Sequence, residues 1–254
     1  PVIPYRGKLT MNIKLLVFMV MANLVFTPSL HAQEKLTFTS ILNSSSAKIS
    51  EQVIREAYRR LGYDIDVVWV PARRALEMSN DGQVDGELHR ILGIDKRWAN
   101  LIRVPNRVNV LEATAFTKSI DFTVAGWSSL KPYSVGVRRG IQFSNTNTQG
   151  MSRQIVNTVQ GLFEILQYDR IEVVVTSLIN GLSELKEIKH SSIKLLKPAI
   201  EVYPLYHYLH KKHQDMVPKV NGVLEQMKKE GLIEHIRQQA LNRLRSEAGR
   251  SNTE

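Results

Sequence analysis

The sequence predicts an α/β fold of two similar lobes. Strands and helices alternate in the order β-α-β-α-β between residues 35 and 88, and one helix–turn–strand unit recurs 87 residues later. Alternation of this kind favours a parallel sheet with right-handed crossovers.

The elements follow in order. Lys35 to Leu42 is short, apolar and β-branched, and reads as a strand. Asn43 to Ser46 are N-cap formers, after which Ile49, Val53, Ala57 and Leu61 mark one helical face that stops at Gly62. Tyr63 to Val70 is a second strand, Ala72 to Asn80 a helix behind Pro71, and Val84 to Leu88 a third strand after the Asp81-Gly82 turn. Leu101–Val104 and Val108–Phe116 look extended, Tyr133–Val137 is a clear strand, and 141–151 is polar and turn-rich. Met151–Val159 and Gly161–Gln167 read as helical, Ile171–Val175 as a buried strand, and Leu178–Glu187 as a helix. Ile193–Leu196 and Ala199–Tyr208 are extended, and Val217–Leu244 is helical with a break at Gly231. The recurrent unit matches residues 75–86 (ALEMSNDGQVDG) with 162–173 (LFEILQYDRIEV).

Hydrophobic residues make up 43% of the 254, a globular composition. The absence of cysteine excludes disulfides, thiolate metal sites, thiol nucleophiles and a lipid-modified N-terminal cysteine. Met11 to Lys14, the apolar run Leu15–Phe26 and the stretch ending at Ala32 have the pattern of an export signal. Residues 1–32 carry Arg6, Lys8 and Lys14 and no acid, so the remainder holds 31 basic and 24 acidic residues, a net charge of +7. These basic residues are dispersed in short pairs, which speaks for a solvated surface or an anionic small ligand and against nucleic acid.

Pro71–Leu76 with Asn80–Glu87, Leu130–Val137 with Arg139-Gly140, Leu162-Phe163 with Ile171–Val175, and Tyr206–His213 with Met227–Gly231 together resemble the family-3 extracellular solute-binding proteins, which include the polar amino-acid receptors of ABC importers. The resemblance spans almost the whole chain after residue 32 and implies a type II periplasmic-binding-protein clamshell, two α/β lobes joined by two crossing strands. Lobe 1 would be 33–114 plus 202–254 and lobe 2 would be 115–201, with crossing strands near 113–117 and 200–206. It further implies a periplasmic monomer that captures a polar ligand for a membrane permease or receptor, without a cofactor. The alternatives are a ligand sensor and a dehydratase-like enzyme on the same fold.

In open α/β sheets, ligands sit beyond the carboxyl ends of the strands. Ser44 and Ser45 lie there, at a helix start that suits an anion. Glu87 and Arg90 lie at the end of the third strand, and Arg90 offers a planar fork for a carboxylate, although the family's T-x-x-R arrangement is absent. Arg73, Arg138 and Arg139 are further anion candidates. Thr176 stands where the resemblance leads one to expect an acid that holds a ligand ammonium. Trp69 and Tyr206 are candidate stacking surfaces. No catalytic or metal residue is assigned: G-x-S-x-G and H-E-x-x-H are absent, and in the series His207, His210 and His213 the pair Lys211-Lys212 would repel a cation.

Overall fold

The structure, a computed structural model, describes residues 35–188 and 192–251. The signal-like segment lies outside them. One sheet runs through the molecule in the order β2-β1-β3-β9-β4-β7-β5-β6, with β8 (Lys194–Leu195) paired to β4.

Each end of that sheet is a small α/β lobe. In the first, β1 (Lys35–Ile41) lies between the parallel strands β2 (Asp64–Val70) and β3 (Gly86–Ile91). Helix α1 (Ser45–Arg60) connects β1 to β2, and α2 (Ala72–Asn80) connects β2 to β3. In the second, β5 (Val135–Arg138) lies between the parallel strands β6 (Arg153–Val156) and β7 (Val173–Ser177). Its connections are α3 (Gln142–Asn147) and α4 (Val159–Gln167). The centre is antiparallel: β4 (Leu101–Thr117) and β9 (Glu201–His210) pair from Leu101–His210 to Ala113–Glu201, and each also borders one lobe.

The recurrence at 87 residues is structural. Added to the bounds of α2 it gives those of α4, and added to the first residue of β3 it gives the first of β7. Gly82 and Asp169, also 87 apart, both have positive φ. Asp85 Oδ2 accepts from Thr37 N (2.7 Å), and Glu172 Oε2 accepts from Ser134 N (2.8 Å). In both lobes, therefore, an acid just before the last parallel strand pins the start of its neighbour.

Separate apolar cores fill the lobes. Phe38, Ile54, Tyr58 and Leu88 centre the first; Phe116, Leu162, Phe163 and Val174 belong to the second. A further cluster joins Ile49 of α1 to Leu178 and Leu182 of α5 (Leu178–Leu185) and Leu241 of α7 (Leu232–Ser251). Helix α6 (Val217–Lys229) packs on the first core through Val220, Leu224 and Met227.

Four sequence expectations are corrected. Met151–Val159, read as helical, contains strand β6, because pairing with β5 overrides local propensity. The polar stretch 141–151 contains α3, whose weak helix formers bond backward: Asn147 Nδ2 to Phe143 O (2.7 Å) and Thr148 Oγ1 to Ser144 O (2.7 Å). The third strand starts later than expected and runs on through Arg90, since Asp85 is committed to the turn. The two extended segments 101–104 and 108–116 form one strand with a register shift between Arg103 and Arg107, around Pro105.

Gly86 sits against β9 so closely that a methyl group there overlaps the Tyr208 carbonyl oxygen. Gly86→Ala is expected to destabilise the protein by about 1–3 kcal/mol through forced backbone displacement. Gly222→Ala, exposed within α6 and with open space around it, should stabilise by up to about 1 kcal/mol. Urea unfolding of both variants measures the pair.

Candidate functional site

The carboxyl ends of β1, β3, β5 and β7 face one cavity of about 530 Å³. Both lobes line it. Ser44, Ser46, His89, Arg90 and Arg97 come from the first, and Arg138, Gln142, Thr176 and Asn180 from the second. Trp98 and Phe143 add aromatic surface. The turns that carry the lining residues also match, because Asn43 after β1 and Gly140 after β5 both have positive φ.

Arg90, in the cavity wall, belongs to a buried ion pair. Arg90 donates through Nε to Glu87 Oε1 (2.6 Å) and through a terminal nitrogen to the Ala72 carbonyl (3.0 Å). Thr39 Oγ1 donates to Glu87 Oε2 (2.5 Å), with Ser79 Oγ at 3.3 Å. Burial pushes the Glu87 carboxyl up, and the Arg90 charge and these hydroxyls oppose that shift. His89, beside Arg90, places Nδ1 2.5 Å from Ser50 Oγ. Burial, with Arg90 adding repulsion, pushes its imidazole down to about 3. His207 is buried nearby, donating Nδ1–H to Leu88 O (3.2 Å) and accepting from the Tyr58 hydroxyl (3.0 Å); burial lowers it to about 4.

Polar bonds tie the lobes together at the cavity edge. Ser46 N donates to Asn180 Oδ1 (3.1 Å), and Ser45 Oγ donates to Ser183 Oγ (2.9 Å). Arg138 reaches across to the carbonyls of Leu42 (2.8 Å) and Asn43 (3.5 Å) and also bonds Asn157 O (3.1 Å). Burial lowers the Arg138 guanidinium, with Glu184 partly offsetting it.

No protein-family model matches the chain. An uncharacterized protein of Shewanella oneidensis is 30% identical over 201 residues, covering 76% of each chain. The chain belongs to the same family as this Shewanella protein. Its fold is that of the type II periplasmic-binding proteins. An ancestral arginine-binding protein bound to arginine matches with a TM-score of 0.69 and 16% identity, covering 82% of this chain and 99% of that one. A histidine kinase sensor domain with similarity to periplasmic binding proteins gives 0.69 and 14%, covering 82% and 97%. An ancestral amino-acid-binding protein, a precursor of cyclohexadienyl dehydratase, gives 0.65 and 13%, covering 88% and 98%.

Within this family member the expected site residues divide. Ser44, Arg73, Arg90, Arg138 and Thr176 line the cavity; Ser45, Trp69, Glu87, Arg139 and Tyr206 do not. Arg73 stands at the exposed rim, paired with Glu77 (2.7 Å). Ser45 serves the contact between lobes. Trp69 is on β2, the edge strand, away from the strand ends that form the seam. Glu87 is spent on Arg90. Arg139 is exposed and bonds Asn157 Oδ1 (3.0 Å). Tyr206 follows Leu205, which lines the cavity, and strand alternation turns it to the opposite side, under the Arg103 guanidinium (4.7 Å to the ring centroid). Sequence reading missed Arg97, Asn180 and Phe143. The last two sit in the first turns of helices that follow β5 and β7, so the strand-end rule applied to all four strands finds them. Among the described residues no group of three His, Cys, Asp or Glu is placed to hold a metal.

Arg90→Leu leaves Glu87 buried without its partner, and a loss of about 3–5 kcal/mol is expected in chemical unfolding. His89 and His207 are neutral when folded at pH 7. The unfolded chain protonates both below about pH 6.5, whereas the folded protein resists until about 4 and 3. Stability is therefore fully present above pH 6.5 and falls as the pH drops toward 4. Melting temperatures across that window measure the fall, and the two imidazole NMR signals should stay unshifted between pH 5 and 8.

Proposed function

We propose that this protein is an exported solute-binding protein that closes two lobes on a small polar, anionic or zwitterionic ligand and does no chemistry on it. The observation that carries the reading is the cavity at the carboxyl ends of β1, β3, β5 and β7, with walls from both lobes. A ligand there touches both halves at once, so binding and closure are one event. The cavity volume falls within the usual range for small-molecule sites.

The lobes are assigned as 33–114 plus 202–254 and 115–201. Supporting this, β4 leaves β9 at Ala113 and pairs with β7 from that residue on. Residues 11–32 are read as the export signal, which places the protein in the periplasm. The monomer presents its closed form to a membrane partner, the permease of an ABC importer. A sensor role is the second reading, favoured by the kinase sensor domain that fits as well as the arginine-binding protein does.

A thermal-shift screen of the full chain against a library of small metabolites tests the proposal. A ligand at about 100 times its Kd should add about 3 kcal/mol of stability, and small-angle scattering with that ligand should show a smaller radius of gyration. A binder that leaves the radius unchanged, or is turned over, defeats the reading.

A further inference from the structure

The charges facing the cavity do not balance. Four arginines line it, Arg73, Arg90, Arg97 and Arg138, whereas no aspartate or glutamate does among the described residues. Arg73 is neutralised by Glu77 and Arg90 by Glu87. Arg97 and Arg138 form no ion pair among the described residues. Arg138 is half-buried and donates to three backbone carbonyls, which do not cancel its charge, and Glu184 acts on it without an ion-pair contact and offsets it only in part. A partly desolvated cation of this kind is left without a counter-ion in contact.

The rest of the lining is largely apolar, including Leu76, Ile91, Ile94, Trp98, Leu111 and Phe143. An ammonium group in this space meets two cations without an ion-pair contact and no carboxylate among the described lining residues. Its remaining partners are neutral hydroxyls and amides such as Ser44, Gln142, Thr176 and Asn180 and the aromatic faces, none of which carries the full charge needed to offset close guanidinium groups. We infer that the ligand is an organic carboxylate with an apolar body and no ammonium group, for which Arg97 and Arg138 supply the countercharge. This rests on the solute-binding reading above and narrows its ligand class.

Matched compounds separate the possibilities. 3-Phenylpropionate, L-phenylalanine, 2-phenylethylamine and 3-phenylpropanol share a body and differ in charge, and 4-methylpentanoate with L-leucine repeats the comparison on an aliphatic body. Titration calorimetry on the full chain should show each free carboxylate binding at least about tenfold more tightly than its amino acid, with no binding of the amine. Arg97→Gln, at an exposed position, should weaken carboxylate binding by about tenfold and leave the melting temperature of the free protein unchanged. Arg138→Lys, which keeps the charge, should weaken it less than Arg138→Gln.

Tighter binding of an amino acid than of its deaminated partner overturns the ligand class and leaves the solute-binding reading standing. Carboxylate affinity indifferent to Arg97→Gln and Arg138→Gln removes the proposed countercharge. Failure of these compounds, with a different ligand found in the metabolite screen, likewise defeats only the ligand class. Silence in both experiments defeats both readings.

Discussion

The antiparallel pairing of β4 with β9 is the constraint from which the rest of the arrangement follows. Each of these strands is the outer neighbour of one lobe's parallel set, β9 for β3 and β4 for β7. Joining them antiparallel relates the two lobes by an approximate two-fold rotation. The carboxyl ends of both parallel sets then point at the same seam. Parallel strands place helix starts and loops at those ends, so two ordinary α/β units become one composite cavity without any further device. The register shifts in β4 between Arg103 and Asn109 fall within this central pairing, where the long strand must serve the first lobe at one end and the second at the other.

Much of this was legible in the sequence. The unit at residues 75–86 and its echo at 162–173 share an acid before the last strand and a left-handed turn, and those features survive because each has a backbone role. Asp85 and Glu172 accept from Thr37 N and Ser134 N, and Gly82 and Asp169 occupy the positive-φ corner. What was not legible depends on partners distant in sequence. Strand β6 has no strong β signal of its own and exists through its register with β5. Helix α3 is built of asparagine, serine and threonine, whose side chains bond the local backbone in helix or turn alike.

The site shows the same division. The rule of strand ends located the neighbourhood, and five of the ten expected residues line the cavity. It could not distinguish a guanidinium aimed at a ligand from one already spent within the protein. Arg90 has the right residue type and the right strand, yet Glu87 three residues earlier takes up its fork. Both residues were visible in the sequence, but their pairing depends on a bulge in β3 between Glu87 and Arg90, which brings the two side chains onto one side of the strand. Strict alternation would have placed them on opposite faces. Arg97 escaped notice for the opposite reason: it lies in a loop with no periodic signal, and only the fold brings it to the seam.

The contact between lobes gives closure its physical cost and gain. The amide oxygen of Asn180 occupies the Ser46 N–H at the start of α1, where an anion would otherwise be welcome, and Ser44 caps the next donor, Ala47 N (3.2 Å). The Ser46 and Ala47 N–H groups of the first turn of α1 are therefore satisfied by the protein itself, and the charge that faces the cavity is carried by the arginines. Behind it, Ile49, Leu178, Leu182 and Leu241 share one apolar cluster, so separating α1 from α5 exposes hydrocarbon to water. Opening works against that burial as well as against the polar bonds. A ligand that merely filled the cavity would gain little from displacing contacts already made. A ligand that pairs with Arg138, which has no ion-pair contact and is offset only in part by Glu184, gains a term that the internal contacts do not provide in full, and selectivity follows from that difference rather than from shape alone.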